Sequence, residues 1–106
     1  MTHLEELERW RIASAEWLDA QDAADILRET KNDVFAEIVS RQDAKTNAEA
    51  ERLARLSDEW KEHRTEMISA ESRARRLKMR VKYHDMKWNS IRSMEANARA
   101  ERGHQR

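Results

Sequence analysis

Seven lysines and arginines lie within the stretch RARRLKMRVKYHDMKWNS, residues 73–90, and further arginines follow it. On a helix these cations would flank the apolar side along both edges. A positive surface of this density can follow the phosphates of a nucleic-acid backbone. The sequence therefore predicts a nucleic-acid-binding surface made by Arg73, Arg76, Arg80, Lys82, Lys87, Arg92 and Arg99.

The net charge of zero hides two segments of opposite sign. Residues 1–70 contain ten Lys and Arg against seventeen Asp and Glu, whereas residues 71–106 contain eleven against four. The basic segment could therefore pair with acidic residues of the first helix instead of binding a polyanion. Both interpretations stay open, although little of the first helix remains to pair with cations beyond Lys82.

The sequence contains few other residues that could bind a metal or act in catalysis. His63 and His84 are three heptads apart, and neither has a glutamate three positions earlier, the spacing of carboxylate-bridged metal bundles. The chain has no cysteine, no Gly-x-Ser-x-Gly turn and no glycine-rich phosphate loop. We therefore expect no enzyme activity, cofactor or metal, and we interpret the two histidines as polar positions that fix helix register.

The composition indicates long helices. Of 106 residues, 40% are charged, none is proline and one is glycine, so strands and tight turns have few residues to build them. The absence of cysteine excludes disulfides. No apolar run has the length of a membrane span, and the start, MTHLEELERW, is acidic where a signal peptide would be basic, so a cytoplasmic location is expected.

Two apolar series recur at alternating steps of three and four residues, the period of a coiled coil. We expect Trp10, Trp17 and Trp60 to pack in the core, whereas Trp88 lies where the second helix continues past the end of the first. The first series is Trp10, Ala13, Trp17, Ala20, Ala24, Leu27, Lys31, Val34 and Ile38. The second is Leu53, Leu56, Trp60, His63, Met67, Ala70, Ala74, Leu77, Val81, His84, Trp88 and Ile91.

The polar segment between the series predicts a turn. Thr46 followed by Glu49 fits a capping box, which predicts that a second helix starts at residue 47. We expect one domain over residues 1–106, with helices over about 2–41 and 47–102, a turn over about 42–46 and a short tail over 103–106. The fold class predicted is all-α: a long antiparallel helical hairpin whose facing positions have numbers that sum to about 91. A single continuous helix is the alternative.

One hairpin cannot cover all the apolar side chains of this chain. Those that lie off the seam predict a dimer or a higher helical bundle, and scattered surface hydrophobes are the alternative. The predicted oligomer interface consists of Ile12, Leu18, Ile26, Ile68, Met79, Tyr83, Met86 and Trp88.

The last sixty residues resemble a family of small helical phage proteins found among recombination and replication genes. The shared pattern is a Lys-Thr helix start, a long helix and a basic stretch that leads into Trp-Arg-Ser-x-x-Ala-Asn-x-Arg. In this chain Ile-Arg-Ser replaces Trp-Arg-Ser. The matching positions are Lys45, Thr46, Lys82, Lys87, Trp88, Arg92, Ser93, Ala96, Asn97 and Arg99.

The resemblance implies a non-enzymatic accessory protein of phage DNA recombination or replication, which would act in the host cytoplasm. Its implied partners are single-stranded DNA and a recombinase or annealing protein. The apolar residues add further copies of the chain itself, and no membrane partner is expected. The alternative hypothesis is a coiled-coil adaptor or inhibitor that binds a host or phage enzyme and never contacts DNA.

Overall fold

A computed structural model describes residues 2–104 of the chain, the side chain of His104 excepted. Within that range the chain is all-helical, as predicted, and it contains no strand. The four helices are α1, His3–Glu29; α2, Lys31–Ser40; α3, Asn47–Leu56; and α4, Asp58–His104.

Thr30 divides the first expected helix into α1 and α2. Its hydroxyl donates to the carbonyl of Ile26 at 2.8 Å, a bond that competes locally with regular helix geometry. The backbone bonds Thr30 N to Ile26 O and Val34 N to Thr30 O continue across the division, both at 3.0 Å. The interruption is therefore local and confined to one residue.

The chain leaves helical geometry between α2 and α3, so the single continuous helix is wrong. At the end of α2, the amides of Arg41 and Gln42 bond to carbonyls three residues earlier. Thr46 is extended and its hydroxyl accepts from the amide of Glu49 at 3.1 Å. The predicted cap is confirmed, and the Glu49 carboxylate reaches back to the amide of Lys45 at 3.4 Å.

Ser57 divides the second expected helix into α3 and α4, a division that was not predicted from the sequence. Ser57 has ψ of 148°, which ends α3, and its hydroxyl accepts from the amide of Trp60 at 3.2 Å, which starts α4. The phase of the seam changes at this residue. Leu56, assigned to the seam, is 59% exposed, and that assignment is wrong because α3 instead buries Ala50 and Ala54.

The expected C-terminal tail is helical where the structure describes it. Gly103 and His104 belong to α4, so the helix runs past the expected end at 102. The other two tail positions, 105 and 106, lie outside the described residues.

The chain divides into two compact units. The central unit is Leu18–Arg75, and the terminal unit comprises the described residues up to Trp17 together with those from Arg76 onward. In the central unit, ion pairs join Arg28 to Glu71 and Arg41 to Glu59, an antiparallel order of partners. Its buried residues are Ala20, Ala24, Ile38, Ala50, Ala54 and Ala74.

The terminal unit pairs the start of α1 with the second half of α4. Partners on α4 fall from Lys87 to Arg80 as the position on α1 rises from Glu6 to Glu16, so these segments are also antiparallel. The buried residues of this unit are Ala13, Leu77, Val81 and, unusually, Glu6.

Neighbouring alanines on α1 test how closely the central unit is packed. Ala24 is fully buried, and Ala23 is exposed. We expect Ala24→Leu to lower the free energy of unfolding by about 1–3 kcal/mol, because a closely packed seam has no space for a larger side chain. Ala23→Leu, the matched control, should change it by less than about 0.5 kcal/mol. Urea unfolding followed by circular dichroism measures both, and equal effects would contradict this packing.

Candidate nucleic-acid interface

All seven predicted DNA-binding cations lie on α4. Arg73 belongs to the central unit and the other six to the terminal unit. Lys87 is half-buried, and the remaining cations are exposed. The structure therefore brings the whole predicted site onto one helix but does not leave every member available to a ligand.

Two of these cations bind carboxylates of α1. Arg80 lies 3.6 Å from Glu16, and both side chains are largely exposed, so this ion pair is weak and exchangeable. Lys87 donates to Oε2 of Glu6 at 3.1 Å, and Glu6 is buried. Pairing within the chain thus uses part of the basic charge, as the alternative interpretation proposed.

Three other cations of the terminal unit have no acidic partner within residues 2–104. No carboxylate of residues 2–104 lies within ion-pair distance of Lys82, Arg92 or Arg99. Lys78 lies over the Trp17 ring, 5.8 Å from its centroid. At 100° per residue these four positions fall within about 100° of one another around α4. We name Lys78, Lys82, Arg92 and Arg99 the cationic row.

Glu6 is the centre of a buried polar cluster in the terminal unit. Its side chain is 3% exposed, with Oε1 2.9 Å from Nδ1 of His84 and Oε2 3.1 Å from Nζ of Lys87. A buried carboxylate is costly unless both oxygens are bonded. The hydrogen bonds from His84 and Lys87 outweigh the effect of burial and lower the pKa of Glu6 below its usual value of 4.5.

An open cavity of about 240 Å³ adjoins this cluster. The indole Nε1 of Trp10 donates to Oδ1 of Asp85 at 2.7 Å, which fixes the ring across the cavity wall. Trp10 is 41% exposed, so its assignment to the core is wrong: its indole is hydrogen-bonded to the exposed Asp85 and is not buried in the seam. The cavity is lined by Glu6, Leu7, Trp10, His84, Asp85 and Trp88.

Trp88 contacts His3, which lies in the first turn of α1. The ring of His3 meets it edge-on with a centroid distance of 5.7 Å, and Nε2 of His3 lies 3.0 Å from Glu95. Trp88 is half-buried and so presents part of its ring to the cavity.

The seam histidines occupy different surroundings. His84 bonds to Glu6, whereas the His63 ring stacks on Trp60 at 5.7 Å and its buried Nε2 has no hydrogen-bond partner among residues 2–104. Over the same range, no group of three His, Cys, Asp or Glu side chains could hold a metal ion. Each described helix is also too short or too polar to cross a lipid bilayer.

The residues predicted for an oligomer interface are mostly solvent-exposed. Trp88 is half-buried, and the other seven side chains are between 45% and 72% exposed. These seven are Ile12, Leu18, Ile26, Ile68, Met79, Tyr83 and Met86.

The Glu6 cluster and the Trp10–Asp85 bond were missed from the sequence. Continuing the first seam backward from Trp10 by four and then three residues reaches Glu6 and His3. The register sum of about 91 then places Glu6 opposite His84, the partner that the structure shows. The available signal was therefore that two polar residues, Glu6 and His84, face each other in an otherwise apolar seam.

Comparison of the chain with protein-family models, curated protein sequences and solved structures yields no significant match.

Glu6 makes the stability of the terminal unit depend on pH. Because its pKa is lower in the folded state, its contribution is complete above about pH 4.5 and is lost as the pH falls through the folded pKa. We expect Glu6→Gln to destabilise the protein at pH 7 and to differ less from wild type near pH 3. The exposed neighbour Glu5→Gln is the control, with thermal unfolding as the measurement. A Glu6→Gln effect independent of pH would contradict the cluster.

Proposed function

We propose that this protein is a non-enzymatic accessory protein that binds single-stranded DNA along α4. The observation that carries the proposal is the cationic row, in which Lys82, Arg92 and Arg99 are exposed and without an acidic partner among residues 2–104. A nucleic-acid strand carries condensed counterions along its phosphates, and protein cations that bind the phosphates release these counterions with a gain in entropy.

The revised binding set differs from the one drawn from the sequence. Lys87 is removed from it, because its ammonium group compensates the buried Glu6 carboxylate and its release would leave that charge unpaired. Arg80 stays as a secondary contact, since its exposed ion pair with Glu16 is weak. Lys78 is added because it lies on the same side of the helix as Lys82.

The biological setting is proposed from the resemblance of the C-terminal part to phage recombination proteins. In that setting the protein acts in the host cytoplasm and assists a recombinase or annealing protein on single-stranded DNA. The proposal includes a hairpin, which the antiparallel order of partners within each unit supports.

We also propose self-association through the outer face of α4. Met79, Tyr83 and Met86 are spaced by four and three residues and are 60–72% exposed, so they form one apolar stripe. An exposed stripe of this kind is typical of helix–helix association. The same stripe is the observation that favours the second candidate function, a coiled-coil adaptor that binds another protein without DNA.

The salt dependence of DNA binding tests the proposed function. Each phosphate contact on a single strand contributes about −0.7 to the slope of log affinity against log salt. Replacing Lys82, Arg92 and Arg99 together by glutamine should therefore reduce the slope by about two. Fluorescence anisotropy with a labelled single-stranded oligonucleotide over a salt series measures it.

The matched control removes the same charge from the central unit. Arg52, Lys61 and Arg64 are also exposed, and their replacement by glutamine should change the slope little. Wild-type protein that shows no salt-sensitive binding would exclude the DNA function and leave the adaptor as the candidate.

Light scattering tests the self-association. The chain has a mass of 12.6 kDa, and we expect the wild type to scatter as a multiple of that mass. Met79→Ser combined with Met86→Ser should shift the population toward monomer, because the stripe loses most of its apolar area. Exposed Met94→Ser is the control. A wild-type monomer at micromolar concentration with full helicity would contradict the proposal.

A further inference from the structure

We propose that the cavity beside Trp10 and Trp88 receives one unpaired base of the bound strand, and that Asp85 favours a base with an exocyclic amine. This inference rests on the proposed binding of single-stranded DNA and adds base selection to it. The observation behind it is an aromatic cavity that lies between Lys82 and Arg92 of the cationic row. One carboxylate oxygen at this cavity accepts no hydrogen bond from residues 2–104.

The cavity lies beside the path that a strand would follow. Asp85 and Trp88 are on α4 between Lys82 and Arg92, so cations of the row lie on both sides of the opening along the helix. About 15 Å of helix separates Lys82 from Arg92. A backbone bound to both would pass the cavity, within reach of a base turned toward α1.

The size and walls of the cavity suit a planar ring. A volume of about 240 Å³ is about eight times the share of one liquid water molecule, enough for a pyrimidine with its substituents. Leu7 and Trp10 are 47% and 41% exposed, so their apolar surfaces already face solvent. Stacking on an indole is the common means by which proteins hold unpaired bases, and it tolerates any base.

The indoles are held before any base arrives. Asp85 fixes Trp10 through the 2.7 Å hydrogen bond, and the ring of His3 meets Trp88 edge-on. A site whose rings are already oriented loses little conformational entropy on binding.

Asp85 supplies the selectivity. Its Oδ1 accepts from Trp10, and its Oδ2 accepts no hydrogen bond from residues 2–104. The other carboxylate at the cavity, Glu6, already has both oxygens bonded. A carboxylate can only accept, so Oδ2 pairs with the N4 amine of cytosine. The one donor on the pairing edge of thymine, N3–H, lies between two carbonyl oxygens that repel a carboxylate.

The test compares fluorescein-labelled twelve-nucleotide strands of deoxycytidine and of thymidine by anisotropy at one salt concentration. We expect the wild type to bind the cytidine strand about fivefold more tightly. Asp85→Asn keeps an oxygen for Trp10 and replaces Oδ2 by an amide donor. The cytidine preference should disappear or reverse in this variant, while the salt slope stays near that of the wild type.

A charge-matched control separates selectivity from general electrostatics. Glu101 is exposed on the same helix and away from the cavity lining, and Glu101→Gln removes the same negative charge. It should strengthen binding to both strands alike and leave their ratio unchanged. If it shifts the ratio as Asp85→Asn does, the selectivity does not come from the cavity and the inference is overturned.

Stacking is tested by Trp10→Leu, which keeps apolar bulk and removes the ring. We expect affinity for both strands to fall at least about fivefold, with weaker quenching of tryptophan fluorescence on binding than in the wild type and unchanged helicity by circular dichroism. Unchanged affinity in this variant would overturn the inference. Equal wild-type binding of the two strands with a normal salt slope would overturn it too, yet leave the proposed function standing. No salt-dependent binding to either strand would overturn both.

Discussion

A seam built largely from alanine is the constraint on which the other features depend. Most of the buried residues of the central unit are alanines, such as Ala24 and Ala54, and Ala13 is among the buried residues of the terminal unit. Small side chains let helices approach closely, but each contributes little apolar area to the core. The larger apolar side chains consequently lie outside the seam, among them Met79 and Met86. The surface that a single chain cannot bury is the physical reason to expect a partner, whether a second copy or another protein.

The terminal unit adds a polar element to this thin seam. A carboxylate at the position of Glu6 would destabilise an apolar contact unless both its oxygens were bonded, and His84 and Lys87 provide the two bonds. The arrangement fixes which residues of α1 and α4 can face each other, because a shift of one heptad would leave the charge unpaired. Register in this unit is therefore specified by electrostatics as well as by apolar packing.

The same cluster decides how the basic charge of α4 is divided. Cations that point toward α1 compensate its carboxylates, as Lys87 and Arg80 do. Cations on the adjacent side, such as Lys82 and Arg92, have no such partner within residues 2–104 and stay accessible to an external anion. Internal pairing thus applies to one side of the helix, and the proposed ligand binding would use another.

The sequence by itself determined the helical class, the non-helical link before Thr46 and its cap, because composition, seam spacing and side-chain capping are local properties. It did not reveal that Ser57 would interrupt the second helix. A serine can lie inside a helix or cap one, and its sequence neighbours do not decide between the two; in the structure the backbone of Ser57 is extended. Only the seam position of Glu6 opposite His84 had a signal in the sequence, and the hydrogen-bonded environments of Glu6, Trp10 and Asp85 were decided by tertiary structure. Their partners lie 75 or more residues away in the chain, and only the packing of α1 against α4 in the terminal unit brings these groups within hydrogen-bond distance.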